Sequence, residues 1–299
     1  DHPAPAAAAL VARAMLIEIY DLAPRPDGKP PTADYFKQEW WWTEGGRSTD
    51  FTKACLMVST SGHLPARKAD RQPTILKGES ALPGLVRAFV GEGSGVVILV
   101  DARGRIVSLA RTGADMLPVQ AAFDALVPAQ GALVPDPNGF PVSCVPALNQ
   151  FKIADVAGGM AWCMRKLGPA GQALAASIKD QAAILADAES DVVSVQVPGA
   201  GAADRFIAWC RLRALLAQFP HLGQRPKILM AQGAAAKDRA LLQEQAAWAS
   251  LHSYVAAVGK APPKKAQAMQ KAQLNAIAAK FPQTYANEIA GKIAALLAP

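Results

Sequence analysis

Histidines and cysteines carry most nucleophilic, acid–base and metal chemistry in proteins, so they are weighed first. The chain holds His2, His63, His221 and His252. No two stand at metal-ligand spacing, and none has a cysteine near it in sequence. His252 falls beside the apolar stripe of its helix and reads as a packing or boundary residue. The cysteines are Cys55, Cys144, Cys163 and Cys210, none in a C-x-x-C. The usual signature of dithiol redox centres and zinc ribbons is therefore missing. Cys144 and Cys163 are the candidate disulfide cysteines, with the pairing left open. Ser59-Thr60-Ser61-Gly62 lacks the lysine and glycine spacing of a phosphate loop and reads as a strand-ending turn. Gly91-Glu92-Gly93-Ser94-Gly95 precedes a strand rather than leading into a helix N-terminus, so it reads as a flexible entry. No G-x-S-x-G occurs, and no pair of acids can be singled out for acid–base work. No catalytic residue, metal ligand or cofactor site is expected.

One cluster points to recognition instead. Trp40, Trp41 and Trp42 are consecutive and are followed by Gly45-Gly46. On a strand the middle indole points away from its neighbours; on a helix the three fan over about 200°. One small core cannot cover all of them, so the segment is expected to form part of a partner-binding surface.

The surrounding elements follow from the apolar patterning. Met15 to Leu22 allows a strand, and Ala54 to Thr60 reads as a short buried strand. Pro24 to Pro31 is a loop, and so is the basic, proline-bearing stretch His63 to Lys77. Leu82 to Val90 reads as a short helix. Val96–Val100 and Arg105–Ala110 flank the turn Asp101-Ala102-Arg103-Gly104 and form a β-hairpin. Residues 115–127 read as a helix with Met116, Val119, Ala122, Phe123 and Leu126 on one face. Five prolines between Pro128 and Pro146 mark a linker, placed at 131–146, between a domain at 1–130 and a helical domain at 147–299. In the second part, stripes such as Trp209-Leu212-Leu216-Phe219 and Leu241-Trp248-Leu251-Val255-Val258 recur at helical spacing. Val192 to Val197 is the exception and reads as a lone strand. Two helices there end on Phe-Pro, at Phe219-Pro220 and Phe281-Pro282.

Charge divides the chain the same way. The net +7 splits into 14 Lys and Arg against 15 Asp and Glu over 1–150, and 17 against 9 over 151–299. A basic helical part suits an acidic protein, a nucleic acid or an anionic membrane surface. No apolar run reaches the ~20 residues that cross a bilayer. The chain opens Asp-His-Pro-Ala-Pro, which reads as a processed end and suggests a periplasmic or secreted protein, with a cytoplasmic one as the alternative.

The hairpin Val-Val-Ile-Leu-Val-Asp-Ala-Arg-Gly-Arg-Ile-Val, residues 96–107, resembles that of the thioredoxin-like superfamily, where it precedes a final helix. The order over residues 12–127 is strand, tryptophan loop, strand, helix, hairpin and helix, which fits the resemblance. It implies a degenerate copy: the place of the C-x-x-C holds Trp40–Trp42, and that of the cis-proline holds Ser94-Gly95. Phe281-Pro282-Gln283-Thr284-Tyr285-Ala286 through Leu297 resembles a tetratricopeptide-type helix pair, which implies binding to other proteins. The expected fold is an α/β thioredoxin-like N-terminal domain followed by an all-α helical array. The expected function is a non-catalytic protein-binding or scaffolding subunit of an exported or cell-envelope assembly. The alternatives are a thiol-dependent redox protein with an atypical cysteine arrangement, and nucleic-acid binding through the basic helical part.

Overall fold

A computed structural model describes residues 14–20, 54–59, 75–77, 82–91, 95–111, 116–127, 137–152, 156–177, 201–218 and 225–297. Within them a mixed five-stranded sheet precedes an array of helices. The strands are β1 (Met15–Tyr20), β2 (Ala54–Ser59), β3 (Ile75–Lys77), β4 (Val96–Val100) and β5 (Ile106–Arg111), in the order β3-β2-β1-β4-β5. β1 runs parallel to β2, β2 runs parallel to β3, and β4 is antiparallel to both β1 and β5. Ile75–Lys77 corrects the sequence reading, which put it in a loop. A three-residue edge strand is too short to show a period-two pattern, and its pairing with β2 defines it.

β4 is buried at every position, which explains why it reads as an unbroken apolar run rather than an alternation. Met15, Ile17 and Ile19 of β1 and Val96, Ile98 and Val100 of β4 share one core with the helical array. The intervening Leu16, Val97 and Leu99 are also buried and, by strand alternation, face the other way. The hairpin turn is built as its residues require. The Asp101 carboxylate accepts the backbone N–H groups of Arg103 and Arg105, both at 2.9 Å. Gly104 takes φ +88°, a region closed to most side chains.

Helix α1 (Leu82–Val90) bears on β1 and β4, and α2 (Met116–Leu126) packs on β4 and β5. The buried face of α2 includes Val119, Gln120 and Phe123, while Ala122 is exposed. That corrects the expected stripe: alanine gains little from burial and yields the inner position to its neighbours.

The proline-rich stretch contains two 3₁₀ turns, Pro137–Gly139 and Val142–Cys144. Then come α3 (Val145–Lys152), α4 (Val156–Lys166), α5 (Gly168–Ser177), α6 (Ala202–Gln218), α7 (Arg225–Ala235), α8 (Arg239–Lys260), α9 (Pro263–Lys280) and α10 (Tyr285–Leu297). Each Phe-Pro follows directly on a helix end, after Gln218 and after Lys280. Residues 285–297 are one helix, packed on α8, α9 and β5. Val192 to Val197 lies outside the described residues. No helix among the described residues is long and apolar enough to cross a membrane.

The helical array does not hang from the sheet by a tether. Gly84 of α1 meets Gly259 of α8 with no room between the backbones. The Tyr254 hydroxyl donates to the Ala88 carbonyl, and Gln270 Nε2 donates to the Arg87 carbonyl at 2.8 Å. Arg87 in turn donates to the carbonyls of Gly259 and Ala261 at 3.1 Å each, placing a cation at the C-terminal, negative end of α8.

Candidate functional site

Three features can support function. The first is where α10 grips the hairpin. The β4–β5 register shifts between Leu99 and Val100, leaving Val107 as an extra residue. A bulge frees backbone groups from the ladder, and α10 takes them. The Tyr285 hydroxyl accepts the Ile106 N–H at 2.6 Å, and Lys292 Nζ donates to the carbonyls of Ile106 and Val107 at 3.2 and 3.1 Å. Arg105, the residue before β5, pairs with Glu288 at 2.8 Å and reaches Asp204 at 3.8 Å. The hydrogen bond to Glu288 holds its guanidinium more firmly protonated than usual. Burial works to raise the Glu288 carboxyl, but hydrogen bonds from Arg105 and Lys292 outweigh it and hold it below the ordinary range.

Beside this contact lies a cleft of about 130 Å³ between the hairpin turn and α6, lined by Asp101, Arg103, Arg105, Asp204, Ile207, Ala208 and Arg211. Arg211 is buried; Arg103 is exposed at the rim. Three arginines and two aspartates line the cleft, so its walls offer charged hydrogen-bonding groups of both signs. From the cleft an aromatic ladder runs into the array: Tyr285 to Trp248 (5.6 Å), Trp248 to Phe206 (5.8 Å) and Phe206 to Trp209 (6.0 Å). A guanidinium caps each end, Arg105 over Tyr285 and Arg213 over Trp209. The sequence reading missed this cleft. Asp204 and Arg211 are seven residues apart and share a helix face, a usable signal, but their meeting with residues one hundred positions earlier has none.

The second feature is the cysteines. Cys144 and Cys163 are brought into one buried region, both as free thiols. Burial raises the Cys163 thiol, and the neighbouring Cys144 raises it further. Cys210 is a free cysteine at the surface of α6, and the packing around its thiol pushes the pKa of that group up to about 12. His252 points to solvent, which corrects its reading as a packing or boundary residue: the buried face of α8 passes through Leu251 and Tyr254 instead. Trp40, Trp41, Trp42, His2, His63 and His221 lie outside the described residues. Among the described residues no three His, Cys, Asp or Glu side chains converge as metal ligands would.

The third feature is exposed apolar area. Val142 (81% exposed), Met164 (70%) and Trp162 emerge near the start of the array. Leu229, Met230 (68%) and Leu242 emerge from α7 and α8.

No protein-family model, curated protein or solved structure matches this chain.

Proposed function

We propose that the chain is a non-catalytic protein-binding or scaffolding subunit of a larger assembly, exported or at the cell envelope. The observation that carries this reading is the exposed apolar side chains of the helical array. Each such side chain leaves area in water worth about 25 cal/mol per Å² to a partner that covers it. The order of the N-terminal elements, with a hairpin before a last helix, supports the resemblance to a degenerate thioredoxin-like domain. The successive packing of α8, α9 and α10 supports the resemblance to tetratricopeptide-type helices. On this reading the fixed contacts between sheet and array make one rigid body, which presents its surfaces in a set geometry.

The test is the mass of the native full chain and of whatever copurifies with it, by light scattering and cross-linking. A stoichiometric protein complex is expected, lost on Met230→Glu with Leu242→Glu or on Met164→Glu, with the circular dichroism of the chain unchanged. A complex indifferent to all three substitutions, or a lone monomer throughout, overturns the reading.

A further inference from the structure

Between Glu244 and Glu288 the chain carries no acidic side chain, yet it holds Lys260, Lys264, Lys265, Lys271 and Lys280. Four of these lysines lie on α9, which has no acid in its first turn or anywhere along it. Two basic residues of the array are matched: Arg205 pairs with Asp238 at 2.6 Å, and Lys292 with Glu288 at 3.2 Å. Lys264, Lys265 and Lys271 are exposed and stand in no ion pair among the described residues. At 100° per residue, Lys264 and Lys271 lie within about 20° of each other, about 10 Å apart along the axis, with Lys265 about 100° round the helix. Between these rows run Ala268, Ala272, Asn275 and Ala279, all exposed, three of them small and one amide-bearing. Two lysines sit in the first turn, where the positive end of the helix dipole disfavours them, and no side chain caps that end.

We infer that this face of α9 is a docking surface for an acidic α-helix of a partner protein. The chemistry of the face selects that partner. It has no arginine to fork onto phosphates and no aromatic ring to stack on bases, which argues against nucleic acid. It has no large apolar side chain on its exposed side to enter a bilayer, which argues against a membrane surface. The alanines between the lysine rows let a second helix lie close. Carboxylates at seven-residue spacing on that helix meet Lys264 and Lys271 together, and Asn275 remains to hydrogen-bond beside them. This inference rests on the proposed binding role and names the chemistry of one partner.

The experiment titrates the full chain with a fluorescent alanine-based helical peptide whose glutamates recur every seven residues, read by anisotropy. Lys264→Glu, Lys265→Glu and Lys271→Glu combined should weaken binding by roughly tenfold or more. A variant of equal charge change elsewhere, Lys227→Glu, Lys237→Glu and Arg239→Glu combined, should lose much less. If the charge reversal on α9 disturbs folding, the triple Lys→Gln variant gives the same reading with a smaller loss. Equal losses in both variants, or none in either, overturn the assignment. So does tighter, α9-dependent binding of duplex DNA or of phosphatidylserine vesicles. Because the peptide probes α9 alone, its failure leaves the apolar-surface test of the binding role untouched.

Discussion

Gly84 in α1 and Gly259 in α8 meet back to back: a Cβ added to Gly259 would stand 2.5 Å from the Gly84 Cα. That approach lets α8 reach the sheet's own helix and lets the Arg87 and Tyr254 hydrogen bonds close across it. Gly259→Ala should therefore destabilise the fold by about 1–3 kcal/mol through overpacking of backbone on backbone. Gly291→Ala, on the exposed side of α10 with open space around it, should be neutral or stabilising by up to ~1 kcal/mol. Urea unfolding of the two variants compares them directly, and equal effects would deny the contact its role.

Tyr285→Phe removes the acceptor of the Ile106 N–H at the bulge. The expected cost is about 1–2 kcal/mol, because the amide is left partly buried without a partner. Amide exchange at Ile106 should speed up more than exchange within β4. Uniform acceleration would mean that α10 merely covers the hairpin.

Glu244 is buried in α8, and its Oε1 accepts the Tyr285 N–H at 2.7 Å at the start of α10. Burial raises its pKa above the ordinary carboxylate range, against the backbone hydrogen bonds that lower it. A raised carboxylate binds its proton more tightly in the folded state, so its contribution to stability falls as pH climbs from the unfolded value through the folded one. Glu244→Gln keeps an acceptor for Tyr285 without the buried charge. It should be more stable than the parent near pH 7, with the difference shrinking as the pH drops toward about 4. Thermal melts across that interval read it, and a constant difference would reject the titration.

Asp238 shows the opposite sign. It caps α8 by accepting the Leu241 N–H at 2.9 Å, and it pairs with Arg205. The cap first, and Arg205 after it, hold its carboxyl below the usual range. Its contribution is present above the ordinary carboxylate pKa and is lost as pH falls through the lowered one. Asp238→Ala should cost ~1 kcal/mol near neutrality, and acid should shrink the difference to the part that a neutral cap keeps. Asp238→Asn should recover the capping part alone. Acid titrations of all three forms separate the cap from the ion pair.

The sequence by itself determined the local elements whose residues leave one option. Val96–Val100 is a strand because five consecutive apolar residues, four of them β-branched, bounded by a turn, suit a position buried on both sides. The Asp101–Gly104 turn followed from an aspartate that accepts two backbone amides and a glycine free to take positive φ. The stripe Leu241-Trp248-Leu251-Val255-Val258 placed the inner face of α8 in part: Leu241, Leu251 and Val258 are buried, Trp248 and Val255 flank them half-buried, and Ala247 and Tyr254 fill the rest. Tertiary structure alone decided what these elements meet. The three residues of β3 gain their state from pairing with β2, since so short a run has no pattern of its own. Likewise, the cleft needs Arg105 and Arg211 brought to one lining, and the Gly84–Gly259 contact depends on a crossing between segments far apart in the chain. Local periodicity records which side of an element is apolar. It holds no record of which distant backbone, cation or carboxylate is folded against that side.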